Sequence, residues 1–445
     1  MAGFFNAHKA VQRGEWWPVL CAAATFFCIL ASYYVLRPVR DEMAVRLGAE
    51  QLKWLFTATF VTMFCAVPLF GFAAARVRRA VLVAGTLLFF ATHLLVFRVA
   101  LQDADLAQRT AAVMFVWVSV FNLFVVSLFW SLMADVFDLE QAERLFGPIA
   151  VGGTTGALAG PLITALAARE LGVPNLLLVS AGLLVIAAAA VGVLSRFATR
   201  LPHARPAPQE GLGGSAWQGL SLVLRSPFLL LFSLYLLLHS VAGTVLYFEQ
   251  TRIVKETFAS SEARTAFFAQ VDLAVNVLTV LTQLLGLAPL VRRFGLGIAL
   301  ALLPALTALG FLALGTWPTL AVLVAFGVTR RAGEYAIARP AREMLFTVLP
   351  RAVKYKAKNF LDTVVFRGSD AVSSWLVDAL RAGGVVGGVL AFAAVPTALL
   401  GLAVGLRLGR PQTPDSTKEH TSHDPASPTP LAHTHSGDGS HSTRR

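Results

Sequence analysis

Apolar runs recur along this chain, each bounded by short clusters of Arg, Lys, Gly or Pro. Each is long enough to cross the ~30 Å hydrocarbon layer of a bilayer as a helix. They fall near 17–38, 52–75, 80–100, 111–134, 146–168 and 173–195 and, after a polar stretch, near 227–249, 266–290, 295–315, 317–338, 359–380 and 384–406. The pattern predicts an all-α membrane protein of about twelve transmembrane helices in two six-helix halves. Its domains read as 1–196 for the first half, 197–226 for a linker, 227–408 for the second half and 409–445 for a tail. The tail is rich in Ser, Pro and His, lacks the apolar residues to build a core, and is expected to be disordered. No small-residue cleavage site follows the first apolar run, which therefore reads as a retained helix.

One stretch departs from this pattern. Residues 328–370 lie between apolar runs yet are dense in charge. Arg331, Glu334, Tyr335, Arg339 and Arg342 recur at helical spacing and are expected to share one face. Lys358 and Asp362 are four apart, and Arg367 and Asp370 three apart, so each pair is within reach on a helix. A charge at the centre of a membrane helix costs roughly 2.5–3.5 kcal/mol on insertion scales. Such a face belongs against a wet cavity, an opposite charge or the membrane edge. The segment is expected to end one helix, turn, and start the next, with its polar face toward a solute pathway.

Composition sharpens the class. The chain is 56% hydrophobic and 14% charged, where soluble domains carry about 25% charge. A net charge of +12 would raise nucleic acid as a partner of a soluble protein. Here the cations collect in short loops with no recognition motif beside them, so the expected partner is the lipid bilayer and not nucleic acid. The loops holding Lys9, Arg13, Arg76, Arg78, Arg79, Arg144, Arg292, Arg293, Arg351, Lys354 and Lys356 outweigh those on the other side. That asymmetry predicts cytoplasmic N- and C-termini. Scarce Lys, Ile and Asn beside abundant Ala, Arg, Gly and Leu point to a GC-rich bacterial genome, hence a bacterial inner membrane. Cys21, Cys28 and Cys65 lie in apolar helices and read as packed thiols, and no metal site or cofactor is expected.

Polar residues within the spans carry the functional reading. Arg37 and Arg40 lie one turn apart beside Asp41, and Pro38 is expected to interrupt the helix there. Trp130 reads as a structural membrane tryptophan or as a base-stacking face. Asp272 and Asn276 share a face of the eighth span, where an acid and an amide mark a functional site by default. Glu249 and Arg252 read as a surface pair. Gly152, Gly156 and Gly160 recur every four residues, which predicts close helix packing. A phosphate loop is rejected, because no strand precedes them and no Gly-Lys-Ser/Thr closes the run.

The stretch EYAIARPAREMLFTVLPRAVKYKAKNFLDTV, residues 334–364, resembles the signature region of the ATP/ADP translocases of plastids and intracellular bacteria. Tyr335, Pro340, Glu343, Met344, Lys356, Lys358 and Asp362 match that pattern, and Arg342 stands where the family has Lys. LRPVRD at 36–41 is similar to the family's L-R-D-x-K-D, with Arg40 in place of Lys and Pro38 in place of the first Asp. FW at 129–130, followed by EQAERLFG at 140–147, is similar to a third family stretch. The spans between match poorly, and the chain is shorter than typical members. The six-plus-six layout is likewise similar to that of the major facilitator superfamily.

The resemblance implies a major-facilitator-type fold and antiport of ATP against ADP plus phosphate by alternating access. Arg40, Arg339, Arg342 and Lys358 are then expected to bind the phosphates of a small anionic substrate, Arg being favoured for forked contacts, and Arg37, Arg331 and Arg367 are candidates from their own charge within the spans. Asp41, Glu343 and Asp362 would hold these cations in place and partly neutralise them when the site is empty, and Asp272, Asn276 and Glu334 are further candidate substrate contacts. Trp130 or Tyr335 would stack on a base. A monomer with no catalytic residue is expected. Two other readings stay open: a carrier or efflux pump for an unrelated small molecule, in which Asp272 and Glu249 outweigh the arginines, and a non-transporting membrane scaffold. No nucleophile motif or soluble domain speaks for an enzyme.

Overall fold

The computed structural model describes residues 11–12, 14–74, 76–198, 216–346, 357–358 and 360–410. Nearly all of the tail and much of the linker expected from the sequence lie outside the described residues.

The first half holds α1 (Trp16–Leu47), α2 (Leu52–Ala74), α3 (Arg79–Ala100), α4 (Ala107–Val136), α5 (Leu139–Leu171) and α6 (Val173–Ala198). A short helix α7 (Ala216–Arg225) leads into α8 (Pro227–Thr257), α9 (Ser261–Leu285), α10 (Leu287–Thr316) and α11 (Leu320–Gly333). A π-helical turn, Glu334–Ala338, continues α11 into α12 (Arg339–Leu345). A second π-turn, Leu361–Val365, opens α13 (Phe366–Ala382), and α14 (Gly388–Leu408) comes last. Among the described residues, 10 helices are long and apolar enough to cross a membrane. The other two expected spans are the π-interrupted stretches, whose charge keeps them off that count.

Local signals account for the helix ends. Asp138 accepts from the Gln141 backbone N–H at 2.8 Å and Gln141 reciprocates, a capping box that starts α5. Ser226 and Ser260 cap α8 and α9. Gly48, at φ +87°, turns the chain sharply out of α1, a conformation that side chains with a Cβ resist. Pro38 does not interrupt α1. The helix runs through it: an interior proline costs about 3 kcal/mol, and packing along the length of α1 on α5 and α6 offsets it.

The stripe Gly152, Gly156 and Gly160 presses α5 against the backbone of α1: a Cβ at Gly160 would sit 2.6 Å from the Ala31 carbonyl oxygen. Close packing is therefore what these glycines do. Of the cysteines only Cys28 is buried; Cys65 is exposed on the outside of α2, since the apolar surroundings there are lipid.

Three apolar clusters organise the bundle. One is built almost wholly within the first half, around Phe26, Leu36, Phe121 and Phe129. A second lies within the second half, around Leu229, Phe232, Leu300 and Leu361. The third joins the halves, packing Val45, Leu52 and Phe115 against Leu246, Phe268 and Val377. All of its members lie toward the end where α1 finishes and α2 begins. The halves are thus fused at that end, while each keeps its own core at the other.

Candidate functional site

The site forms at mid-depth where α1 meets α9 and α11. Arg37 on α1 points its Nε at Asp272 on α9, 3.6 Å away. Arg331 on α11 reaches the same carboxylate at 2.8 Å. Asp272 is 1% exposed, so both cations are drawn inward by one buried charge. Tyr335, the second residue of the first π-turn, lies within the electrostatic reach of Arg37, Arg331 and Arg339. The Arg339 guanidinium stands over its ring at 5.3 Å.

One turn along α1, Arg40 covers the Phe115 ring at 4.5 Å. Its Nε is buried without a hydrogen-bond partner, and among the described residues no carboxylate lies within ion-pair distance of it. Arg40 opens onto a small recess lined by Phe56, Thr59, Phe60, Ser119, Arg367 and Asp370. The recess draws on α1, α2 and α4 from the first half and α13 from the second. Asp370 accepts from Ser240 at 2.6 Å and pairs with Arg367 at 3.7 Å. Arg367 feels the charges of both Arg40 and Arg339. Arg37, Arg40, Arg331, Arg339 and Arg367 therefore surround one interior zone.

Other expected site residues turn elsewhere. Arg342 is buried and bonds Glu334 at 2.5 Å, with His239 3.4 Å from the same carboxylate. Arg330 donates to the His239 carbonyl at 3.1 Å, in space that Gly243 leaves free. These groups form a closed ionic knot inside the second half. The single polar face expected for 331–342 is thus divided, because the π-turn inserts an extra residue and rotates the residues beyond it. Lys358 pairs with Glu343 at 2.5 Å, but Glu343 is half exposed and lies about 12 Å along the helix from Tyr335. That pair belongs to the end of the bundle and not to the interior zone. The side chain of Asp362 lies outside what the structure describes.

Trp130 is packed among Phe26, Phe129 and Phe146 in the core of the first half. It sits fifteen positions after Phe115, about 22 Å along α4, so its ring does not face the arginines. Asn276 is one turn from Asp272 and donates to the Ala157 carbonyl on α5 at 2.6 Å, a contact between the halves. Glu249 is no surface group: it is 2% exposed and holds Arg252 at 2.7 Å.

The links between halves are polarised. Beyond Arg37–Asp272 and Asn276–Ala157, they are Asp41 accepting from Tyr247 at 3.0 Å, Glu42 from Arg264 at 3.0 Å, Asp378 from Lys53 at 2.6 Å and Thr57 from Trp375 at 3.0 Å. All four sit at the fused end. At the opposite end Arg79 holds Ser131 and Asp135, Glu15 holds Arg144 and Lys358 holds Glu343, each within one half.

The Major Facilitator Superfamily pattern matches residues 22–337. The chain belongs to that superfamily. No curated protein matches this facilitator by sequence. Among solved structures, an auto-inhibited POT family peptide transporter superposes with a TM-score of 0.62 at 15% identity, covering 93% of this chain and 99% of its own. A bacterial homologue of the iron transporter ferroportin in an inward-facing state gives 0.63 at 11%, covering 89% and 98%. The nucleoside transporter NupG gives 0.57 at 14%, covering 88% and 98%. At these identities the likeness is one of fold, and the facilitator is a membrane transporter.

His239, Ser240, Tyr247, Arg264 and Arg330 join the site and the links between halves without having been candidates, and Asp370, expected only as the partner of Arg367, lines the recess as well. The signal for the α8 residues was their polarity inside an apolar run, SLYLLLHSVAGTVLYFE, which a search for charge passes over.

Proposed function

We propose that this facilitator exchanges a phosphorylated anion by alternating access, with the interior arginines as the binding site. The supporting observation is the convergence of Arg37, Arg40, Arg331, Arg339 and Arg367 from both halves on one zone at mid-depth. Counted with Arg330 and Arg342, these cations outnumber Asp41, Asp272, Glu334 and Asp370 by three. Unpaired cations resist being closed away from water, and an anion relieves that cost. A carrier that closes readily only when loaded runs exchange.

The bias of loop cations supports cytoplasmic termini, and with that orientation in a bacterial inner membrane the latched end is the outer one and the state inward-facing. Two fixed arginines suit forked contacts to phosphate oxygens, and Tyr335 offers a ring beside them. ATP/ADP exchange, with a nucleoside transporter among the proteins of like fold, is the finer form of this reading. The recess beside Arg40 has room for about one water molecule in this state, so on this reading the halves part further before a phosphorylated anion of any size enters.

The test is uptake of labelled ADP and of labelled phosphate into vesicles carrying the full chain, with and without the same anion inside. Faster uptake into loaded vesicles, lost in Arg40→Gln, is the expected result; equal rates refute exchange. Thermal stabilisation against nucleotides, other anions and cations identifies the substrate.

A further inference from the structure

Asp272 is gripped from two sides by residues that move apart in alternating access. Arg37 comes from the first half, while Arg331 and Asp272 belong to the second. Arg331 bonds one carboxylate oxygen at 2.8 Å. The other, Oδ2, is buried, accepts no hydrogen bond, and faces Arg37 at 3.6 Å. The pairing with Arg37 is therefore loose, in a place where the carboxylate is almost wholly shielded from water.

We propose that Asp272 is a built-in counter-anion that occupies Arg37 and Arg331 when the carrier is empty and is displaced when the transported anion arrives. This deepens the reading of the interior arginines as an anion site and rests on it. An internal carboxylate bridging the halves lowers the charge that must be buried when the unloaded carrier closes. Asp272 thereby sets how much net flux leaks beside exchange, and it competes with the ligand for the same two guanidinium groups.

Competition fixes the consequences of removing the charge while keeping the shape. In Asp272→Asn, the ADP or inorganic phosphate concentration for half-maximal thermal stabilisation falls roughly tenfold, the scale of one freed charge-assisted hydrogen bond. The ratio of ADP exchange to net ADP efflux from vesicles rises by a similar factor, because the empty carrier now closes with one more unpaired cation. The double variant Asp272→Asn, Arg331→Gln restores the charge balance. It returns the exchange-to-efflux ratio toward wild type while binding either anion more weakly. Should Asp272→Asn fail to accumulate, the double variant carries the test, and a ratio still raised there overturns the proposal.

Wild-type exchange with no change in affinity or ratio in Asp272→Asn also overturns it while leaving the anion reading intact. Absence of ADP and phosphate binding to the wild type removes both.

Discussion

Removing Arg264 should open the latched end. Arg264 on α9 donates to Glu42 on α1 at 3.0 Å, the side chains being 13% and 0% exposed. In Arg264→Gln the Glu42 charge stays buried without its cationic partner. Breaking a buried pair from one side costs about 3–5 kcal/mol. Arg264 also donates to the Phe258 and Ala259 carbonyls, but these lie within the second half and are lost equally in either state. The ionic cost falls on the latched state alone, since Glu42 becomes wet when that end parts. Taking about 3 kcal/mol, the balance shifts by more than a hundredfold toward opening. Thr251, 2% exposed and one turn beyond Tyr247 on α8, reports on it. With the native cysteines replaced, a cysteine at 251 should resist a membrane-impermeant maleimide in the wild-type background and react readily in Arg264→Gln. Adding Glu42→Gln removes the stranded charge and should restore protection. Equal labelling in all three refutes the latch.

Other substitutions separate packing from transport. Gly156→Ala drives a Cβ into the Phe27 backbone of α1 and should cost about 1–3 kcal/mol, read as a lower Tm in detergent with no change in ligand preference. Trp130→Phe keeps the aromatic packing and should leave anion affinity within about twofold, while a larger loss places the ring at the substrate. Burial pushes the Glu15 carboxyl up, but hydrogen bonds from Arg144, the Gln12 backbone and Gln141 outweigh it and hold it below the ordinary carboxylate range. Its clasp on α5 thus stabilises the protein at neutral pH and is lost as pH falls through that lowered value. The Tm difference between wild type and Glu15→Gln should shrink below about pH 4, and a constant difference contradicts the assignment.

The membrane-crossing layout was legible because apolar length is a one-dimensional signal. So was the glycine stripe of α5, since small residues every fourth position have one common use in membrane helices. Arg37, Arg40, Asp272, Arg331 and Tyr335 were legible as charge or polarity where lipid penalises it. What remained hidden depended on tertiary placement. The π-turn at 334–338 splits the polar face, and helical spacing carries no mark of it. Arg342 consequently faces Glu334 and the knot with His239. Lys358 and Glu343 match the translocase-like motif, yet they form a pair at the bundle end. The latch residues could not be paired from sequence, because Glu42 and Arg264 are 222 positions apart and each alone looks like an interfacial charge.

Site and gate share their helices, which is how binding can be felt at a distance. On α1, Arg37, Asp41 and Glu42 lie within two turns and reach Asp272, Tyr247 and Arg264 in that order. On α9, Asp272 and Arg264 lie eight positions apart, about 12 Å along the axis. An anion that pulls Arg37 away from Asp272 loosens one of the contacts aligning α1 with α9, and the same alignment holds Glu42 on Arg264. Two links on one rigid helix pair should therefore couple. The maleimide-labelling shifts of Asp272→Asn and Arg264→Gln should combine non-additively, by an energy of about 0.5–3 kcal/mol. Strict additivity would mean that the latch opens without reference to the site, leaving α1 as a passive wall and not as the lever between them.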